Sequence, residues 1–350
     1  MLFRSSQVHA ILEREFTAAA GGAHTPVMLW GPPGVGKSQI VAQIAARHEA
    51  RLIDIRLAQM EPTDLRGIPF REGRHVVWSA PATLPDEERH GARGILFLDE
   101  ITSAMPTVTA AAYQLILDRR LGEYSVPPGW AIFAAGNRQG DRGVTYQMPA
   151  PLANRFAHYE IEPDLDDWVA WAHASGVDER LIAFLRFRPD LLFQFDPARY
   201  ASAFASPRSW EYASRALAKF SGHPELLGEA LNACVGAAAG SALRAFLAHT
   251  GAIPDLAAIA AGEEVAVPKQ MELQYAVATA LVRHVGRLPD AQQTRAAGHA
   301  LEYARRFPQR EIGVMLVMDL QRVLGRPLYE LPAFAGWAED VSDLLSFGRG

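Results

Sequence analysis

The order of apolar and polar residues predicts that the first half of the chain alternates strands with helices. Unbroken apolar runs occur at 27–30, 95–98 and 130–135. Runs of this length are typical of strands buried on both faces of a parallel sheet. Residues 7–19 instead repeat their apolar side chains at helical spacing. We therefore predict an α/β fold with a parallel sheet at its core.

After residue 163 the apolar spacing is helical almost throughout. Ser206 and Pro207 have the residue types of an N-cap and a first helical position, and they predict a helix that runs to Lys219. Further helical segments cover 224–248 and 269–323. We predict three domains, which are an α/β core at 1–163, an all-helical domain at 164–248, and a C-terminal helical extension at 249–350 to which no role is assigned.

One segment of the predicted core, near 66–80, has the pattern of a β-hairpin. Its strands are expected within 70–78, with the turn at 72–73. The hairpin carries several basic and aromatic side chains, namely Arg71, Arg74, His75 and Trp78. These residue types suit contact with another macromolecule. A solvated hairpin whose aromatic ring packs inward is the alternative, and the sequence leaves both open.

Composition narrows the class of protein. The formal net charge is −5 and the pI is near 6.1, which argues against a generally basic nucleic-acid surface. A local basic channel stays compatible with these values. Cys234 is the single cysteine, so an intrachain disulfide is excluded and a reducing compartment is expected. With no signal-peptide pattern and no apolar segment that resembles a membrane span, we expect a cytoplasmic protein.

The most informative motif is an eight-residue glycine-rich loop between the first apolar run and a helix. It reads Gly31, Pro32, Pro33, Gly34, Val35, Gly36, Lys37 and Ser38, and the helix is expected to begin at Gln39. This is the phosphate-loop pattern in its strand–loop–helix setting. Lys37 is expected to reach the β- and γ-phosphates, and Ser38 to bind Mg²⁺. The residues from Gly31 to Gln39 are therefore predicted to bind a nucleoside triphosphate.

Two further strands end in polar residues suited to nucleotide hydrolysis. Asp99 and Glu100 follow the apolar run 95–98, and Asn137 follows the run 130–135. The carboxyl ends of parallel strands form the edge at which ligands bind in open α/β folds. We expect Asp99 to hold Mg²⁺, Glu100 to polarise the attacking water, and Asn137 to orient the γ-phosphate or that water. In isolation Asn137 would be interpreted as a simple turn residue.

Two arginines complete the set of candidates. Arg155 follows the segment 149–154, between the last predicted strand and the one before it. Arg208 lies in the first turn of the helix that begins at Pro207. A cation at a helix N-terminus is unfavourable to the helix dipole, so another group is expected to hold Arg208 in place.

Taken in order, these features resemble the AAA+ ATPases. The loop at 31–38 resembles their phosphate loop, Asp99 and Glu100 their metal and water carboxylates, and Asn137 their first sensor. In the same order, Arg155 resembles their arginine finger and Arg208 their second sensor. The Pro-x-Pro-Leu-x-x-Arg-Phe pattern at 149–156 and the Asp-Leu-x-Gly pattern at 64–67 are most similar to the MoxR family, whose second core helix carries an insert. The resemblance covers about residues 5–245.

This resemblance implies a catalytic mechanism and an assembly. It implies ATP hydrolysis with Mg²⁺ in a homo-oligomeric ring, commonly a hexamer, with ATP between neighbouring subunits. The 164–248 domain would be the lid of the nucleotide site and the 66–80 hairpin the helix-2 insert. It further implies chaperone-like remodelling of a partner protein, which commonly carries a von Willebrand factor A domain.

Other functions stay open at this point. Nucleic-acid motors share the same core and insert, and stimulation of hydrolysis by DNA or RNA would identify one. A monomeric phosphate-loop kinase would not need Glu100 or Arg155, and its turnover would not depend on protein concentration. A nucleotide-gated scaffold would hydrolyse ATP negligibly. The sequence names neither the client nor the process.

Overall fold

A computed structural model describes residues 2–138, 140–141, 146–198, 202–249 and 253–341. The chain forms two compact units. One contains Met1–Asp167 with Phe195–Tyr200, and the other contains Trp168–Gln194 with Ala201–Gly350. The three-domain division given above stays a prediction. Residue 1 of the predicted core and residues 250–252 and 342–350 of the predicted extension lie outside the described residues.

The first unit is built on a parallel sheet. The strands in the described residues are β1 (Leu2–Phe3), β2 (Val27–Trp30), β3 (Arg51–Arg56), β4 (Ile68–Glu72), β5 (His75–Ser79), β6 (Gly94–Asp99), β7 (Arg120–Leu121), β8 (Tyr124–Ser125), β9 (Trp130–Gly136) and β10 (Ala157–Ile161). Six of them form one sheet in the order β1-β10-β2-β9-β6-β3, with every pair parallel. The predicted α/β fold with a parallel core is confirmed.

Helices cover this sheet. In the first unit they are α1 (Ser5–Ala19), α2 (Lys37–Arg47), α3 (Pro62–Arg66), α4 (Glu87–His90), α5 (Pro106–Asp118) and α6 (Ala150–Ala153), with one 3-10 turn at Leu57–Gln59. Helix α2 begins two residues before the predicted start at Gln39, because Gly36 occupies its N-cap position. The first helical turn therefore contains Lys37 and Ser38 themselves.

The two central strands, β6 and β9, form the most buried layer of the sheet. Every residue of β9 is buried, as are all residues of β6 except Asp99. Trp130 begins β9 with no exposed surface, and its Nε1–H donates to the carbonyl oxygen of Gly91. A Cβ atom at Gly94 would lie 2.6 Å from the Trp130 ring, so only glycine fits there. This packing fixes the strands whose carboxyl ends carry Asp99 and Asn137.

The second unit is helical in its described residues. After β10 the helices are α7 (Leu165–Ala174), α8 (Glu179–Phe187), α9 (Pro207–Lys219), α10 (Pro224–Val235), α11 (Ala237–His249), α12 (Leu256–Ala261), α13 (Met271–Arg287), α14 (Asp290–Ala304), α15 (Arg310–Leu324) and α16 (Pro332–Asp340), with 3-10 turns at Pro189–Leu191 and Arg326–Glu330. Ser206 caps α9 as predicted, since its Oγ accepts a 3.2 Å hydrogen bond from the backbone N–H of Ser209.

A buried ion cluster joins early and late helices of the second unit. Asp319 of α15 is 2% exposed and lies 2.5 Å from the guanidinium of Arg186 on α8. Arg322 contacts the other carboxylate oxygen at 2.9 Å, and His173 of α7 lies 3.8 Å away. Burial alone would raise the pKa of the Asp319 carboxyl, but the neighbouring His173 and Arg186 side chains hold that pKa below its ordinary value.

Residues 120–125 form a short hairpin in which β7 pairs with β8. One further local prediction differs from the structure. The turn between β4 and β5 consists of Gly73 and Arg74, one residue later than predicted, because Gly73 takes a positive φ of 60° at its start. No helix among the described residues combines the length and apolar character needed to cross a bilayer.

Candidate active site

The phosphate-loop motif forms a tight bend between β2 and α2. Gly36 has a φ of +100° at the N-cap of α2, a conformation that residues with a Cβ rarely adopt. At the other end of the loop, a Cβ on Gly31 would lie 2.9 Å from the carbonyl oxygen of Ile161. The backbone N–H groups at a helix N-terminus, together with the helix dipole, form a favourable anion site, and the first turn of α2 supplies such groups here.

Lys37 lies inside the bend and is only 9% exposed. Its Nζ donates to the carbonyl oxygens of Gly31 at 2.6 Å and Pro32 at 3.1 Å. It also donates to Oδ1 of Asn137 at 3.0 Å. An ammonium group has three N–H donors, so a phosphate that binds here takes the place of at least one of these acceptors. The structure thus brings two predicted site residues, 100 positions apart, into direct contact.

Ser38 and Asp99 form the second contact between predicted residues. The Ser38 hydroxyl donates to Oδ2 of Asp99 at 2.8 Å, while Oδ1 of Asp99 accepts from the backbone N–H of Glu100 at 2.8 Å. Mg²⁺ prefers oxygen ligands and usually keeps several waters, binding through one or two protein groups and the phosphates. A hydroxyl beside a carboxylate at a phosphate loop is therefore a donor set that fits Mg²⁺.

Glu100 has an unusual backbone conformation. Its φ is +56°, one of three positive values among the non-glycine residues described. Such conformations cost about 1–3 kcal/mol and cluster at functional sites. The side chain is exposed, and none of the described residues pairs with its carboxylate. The carboxylate predicted to act on water is thus accessible at the edge of the sheet.

Asp54 is a nearby carboxylate that sequence reasoning missed. It lies on β3, which pairs with β6 so that Arg56 stands opposite Asp99. Desolvation raises the pKa of the Asp54 carboxyl, and the negative charges of Asp99 and Glu100 raise it further, whereas Arg56 lowers it. The position of Asp54 two residues before the end of a neighbouring strand was the available signal. Three carboxylates therefore share this edge of the sheet.

Asn137 directly follows β9 and lies beside the buried Thr102. The backbone N–H of Asn137 donates to Oγ1 of Thr102 at 3.2 Å, and that hydroxyl also lies 3.3 Å from the Asn137 carbonyl oxygen. Thr102 was not among the predicted site residues. Its sequence neighbourhood, two residues after Glu100, gave no indication that it folds back onto the next strand.

Arg138 is a second residue that the sequence reasoning did not single out. Its guanidinium contacts Asp141 at 3.0 Å and Glu160 of β10 at 2.5 Å. The hydrogen bond to Asp141 is the main cause that raises the pKa of Arg138. Burial lowers this pKa, and the hydrogen bond to Glu160 raises it further. Arg138 thus ties the residues after β9 to β10, the strand beyond β2 in the sheet.

Arg155 lies in the first unit, just after α6. It is exposed, and among the described residues no carboxylate or other acceptor binds its guanidinium. Close by, Nδ1 of His158 accepts from Nε1–H of Trp30 at 2.8 Å, and Nε2 lies 2.7 Å from the carbonyl oxygen of Ala153. The end of α6 is therefore anchored to the strand that precedes the phosphate loop, while the Arg155 side chain extends into solvent.

Arg208 belongs to the second unit, in the first turn of α9 as predicted, and is exposed. Within the part of the chain that the structure describes, no acceptor for its guanidinium is found. The group expected to hold this cation against the helix dipole therefore stays a prediction.

The chain is similar in sequence to known proteins in this region. Residues 26–156 match the family model of the AAA domain (dynein-related subfamily). The chain is also 30% identical over 180 residues to Protein NorQ of Paracoccus denitrificans. That alignment covers 48% of this chain and 65% of NorQ, slightly less than two thirds of the relative. The matched family model spans the phosphate loop, Asp99, Glu100, Asn137 and Arg155.

Solved structures show similarity at low sequence identity. The crystal structure of NtrX from Brucella abortus in complex with ADP is 16% identical, with a TM-score of 0.39 over 96% of this chain and 68% of NtrX. A point mutant of RuvB from Thermotoga maritima is 14% identical, with a TM-score of 0.36 over 95% of this chain and 88% of RuvB.

Proposed function

We propose that this chain is a MoxR-type AAA+ ATPase that binds ATP with Mg²⁺ and hydrolyses it to ADP and phosphate. The match of residues 26–156 to the AAA domain and the similarity to NorQ support this proposal. One observation carries the proposal. Hydrogen bonds from Lys37 to Asn137 and from Ser38 to Asp99 join the phosphate loop to the carboxyl ends of two buried strands. This is the arrangement that phosphoryl transfer to water requires.

Each residue has a distinct part in the proposed reaction. Lys37 and the first-turn N–H groups of α2 bind the phosphates, and Ser38 and Asp99 would hold Mg²⁺. When bound, Mg²⁺ neutralises charge that develops on the phosphate oxygens. Glu100 orients a water molecule and accepts its proton, while the Asn137 amide orients the water or the γ-phosphate. Catalysis then depends on positioning and charge, because no covalent intermediate is needed.

We also propose a ring, with Arg155 acting in the site of the neighbouring subunit. The Arg155 guanidinium is exposed and has no partner among the described residues, which suits an arginine finger that completes the nucleotide site of a neighbouring subunit. Such a finger stabilises charge on the transferring phosphoryl group. We propose further that the ring is a hexamer and lies in the cytoplasm, and that Arg208 acts as the second sensor of the lid. The resemblance to the MoxR family supports these proposals.

The finer proposal is that hydrolysis remodels a partner protein, one with a von Willebrand factor A domain being the candidate. The hairpin of β4 and β5 supports this proposal. Trp78 is 40% exposed rather than packed inward, and Ile68, Phe70 and Val76 are exposed to 69%, 50% and 63%. Ile68 and Phe70 lie on one face of the hairpin and Val76 and Trp78 on the other, so both faces expose apolar side chains. Exposed apolar surface commonly marks protein–protein contact sites. Arg71 and Arg74 border the same hairpin.

The test compares wild type with Glu100→Gln and Lys37→Ala. We expect Glu100→Gln to bind ATP as wild type does and to hydrolyse it at least ~10²-fold more slowly, the scale for the loss of a positioned base. Lys37→Ala should lose tight ATP binding, because the phosphates lose their main cationic contact. Measurements are ATP affinity by calorimetry and phosphate release. A wild type that releases no phosphate from Mg²⁺-ATP, or a Glu100→Gln variant of normal rate, contradicts the proposal.

A further inference from the structure

Thr102 is a buried polar residue that has no part in the reaction proposed above. It is 4% exposed and lies in the turn that follows Glu100, which is closed by a 2.9 Å hydrogen bond from Ser103 N–H to the Glu100 carbonyl. Its Oγ1 accepts from the Asn137 N–H and lies within hydrogen-bond distance of the Asn137 carbonyl oxygen. A hydroxyl can donate and accept at once, so one side chain bonds both backbone polar groups of Asn137.

This close approach is built into the sequence of β9. The residue before Asn137 is Gly136, and a Cβ atom there would lie 2.7 Å from both Oγ1 and Cγ2 of Thr102 and 2.9 Å from Met28. Any larger residue would push Thr102 away from the end of the strand. The contact therefore depends on a glycine at the position where β9 meets the site.

Thr102 is itself held from the opposite side. Its carbonyl oxygen accepts a 2.7 Å hydrogen bond from the backbone N–H of Tyr146, and Ile101 N–H donates to the Ala135 carbonyl at 3.0 Å. The Thr102 backbone is thus fixed between β9 and Tyr146. A hydroxyl on such a fixed backbone offers a rigid support for its neighbour.

We propose that Thr102 is a positioning residue for Asn137 in ATP hydrolysis, an inference that rests on the proposed function. Thr102 fixes the Asn137 backbone, and from that backbone the amide Oδ1 reaches Nζ of Lys37 at 3.0 Å. Thr102 touches neither phosphate nor water in this role. Hydrogen bonds in a buried, low-dielectric setting resist displacement, which suits a support that must hold the amide aligned. Misplacement of a catalytic group by about 1 Å can cost ~10²-fold in rate.

The experiment compares Thr102→Val, which keeps the shape but removes the hydroxyl, with Thr102→Ser, which keeps the hydroxyl. We expect Thr102→Val to lower kcat at least ~10-fold while affinity for a non-hydrolysable ATP analogue stays within about threefold, and Thr102→Ser to restore most of the rate. Thr109→Val is the matched control, because the Thr109 hydroxyl is also buried but bonds the carbonyls of Ala104 and Met105. It should leave kcat unchanged.

A double-mutant cycle separates positioning from mere structural support. If Thr102 acts through Asn137, adding Thr102→Val to Asn137→Ala should lower kcat by less than about twofold further. Losses that multiply, or a Thr102→Val enzyme of wild-type kcat, overturn the inference while leaving the proposed ATPase intact. A wild type without hydrolysis overturns both. If Thr102→Val does not fold, Thr102→Ala removes the same hydroxyl with a smaller side chain and is held to the same criteria.

Discussion

The Ser38 hydroxyl donates a 2.8 Å hydrogen bond to Oδ2 of Asp99, across 61 positions of sequence. One partner lies in the first turn of α2 and the other at the carboxyl end of β6. The protein's own hydrogen bond therefore holds the two oxygen donors predicted to bind Mg²⁺ next to each other. Geometry that already exists in the protein lowers the cost of ordering groups when a ligand binds.

We expect Asp99→Asn to lose the Mg²⁺ dependence of ATP binding. The amide keeps the size of the side chain, and its oxygen can still accept from Ser38, but the negative charge that attracts the cation is gone. ATP affinity measured with Mg²⁺ and with EDTA should differ in wild type and converge in the variant. Asp118→Asn, an exposed carboxylate at the end of α5, is the control and should keep the difference. An unchanged Mg²⁺ dependence in Asp99→Asn would remove Asp99 from the metal site.

Arg155→Ala should bind ATP and hydrolyse it barely at all. A finger supplied to a neighbouring subunit is worth roughly 10³–10⁵ in rate in other phosphate-loop enzymes. When this variant is dissociated and reassembled with Lys37→Ala, mixed interfaces pair an intact phosphate loop with an intact finger, so some hydrolysis should return. Each variant alone is the control. Mixtures that assemble yet stay inactive would show that Arg155 does not act in trans.

His24 should make the stability of the first unit fall as the pH is lowered from about 6.5 to about 4. Burial, with a smaller effect of the Arg119 cation, lowers the His24 pKa from 6.5 to about 4, and Nε2 accepts from the Ile132 N–H in the neutral ring. Between these values the unfolded chain binds the proton more readily, so acid favours unfolding by up to roughly 3 kcal/mol. The measurement is urea denaturation at pH 4 to 7.

The comparison for His24 is His24→Gln, whose side-chain oxygen can still accept from Ile132. It should be less sensitive to pH in this window than wild type. His75→Gln, at an exposed position of the same unit, should retain the wild-type dependence. Parallel curves for wild type and His24→Gln would mean that the buried ring does not carry the proton linkage.

Arg186→Met should destabilise the second unit by about 3–5 kcal/mol, because it leaves the buried Asp319 carboxylate without its closest cation. Arg322→Met removes the outer cation, whose side chain is 38% exposed, and should cost no more than about 1 kcal/mol. Denaturant titration of both variants provides the comparison. Adding Asp319→Leu to Arg186→Met should recover much of the loss. Equal effects of the two arginine substitutions would argue against a buried pair.

The sequence predicted the parallel sheet and the start of α9 because these depend on local patterns. Apolar runs identified β6 and β9, and Ser206 with Pro207 identified the start of α9. Motif spacing also predicted that Lys37 and Asp99 share one edge. Thr102 and Arg138 could not be found in this way, because their importance comes from contacts with residues that are far apart in sequence. The place of Asp54 near the end of β3 was a signal that sequence reasoning overlooked.

The left-handed backbone at Glu100 sets activity against stability at a single position. Glycine adopts this conformation without steric cost, so Glu100→Gly should relax the turn while it removes the carboxylate proposed to act on water. Descendants of this chain that no longer need hydrolysis would gain thermal tolerance by drifting to glycine there. Glutamate at position 100 would then distinguish the members that still turn over ATP from those that have become nucleotide-binding scaffolds.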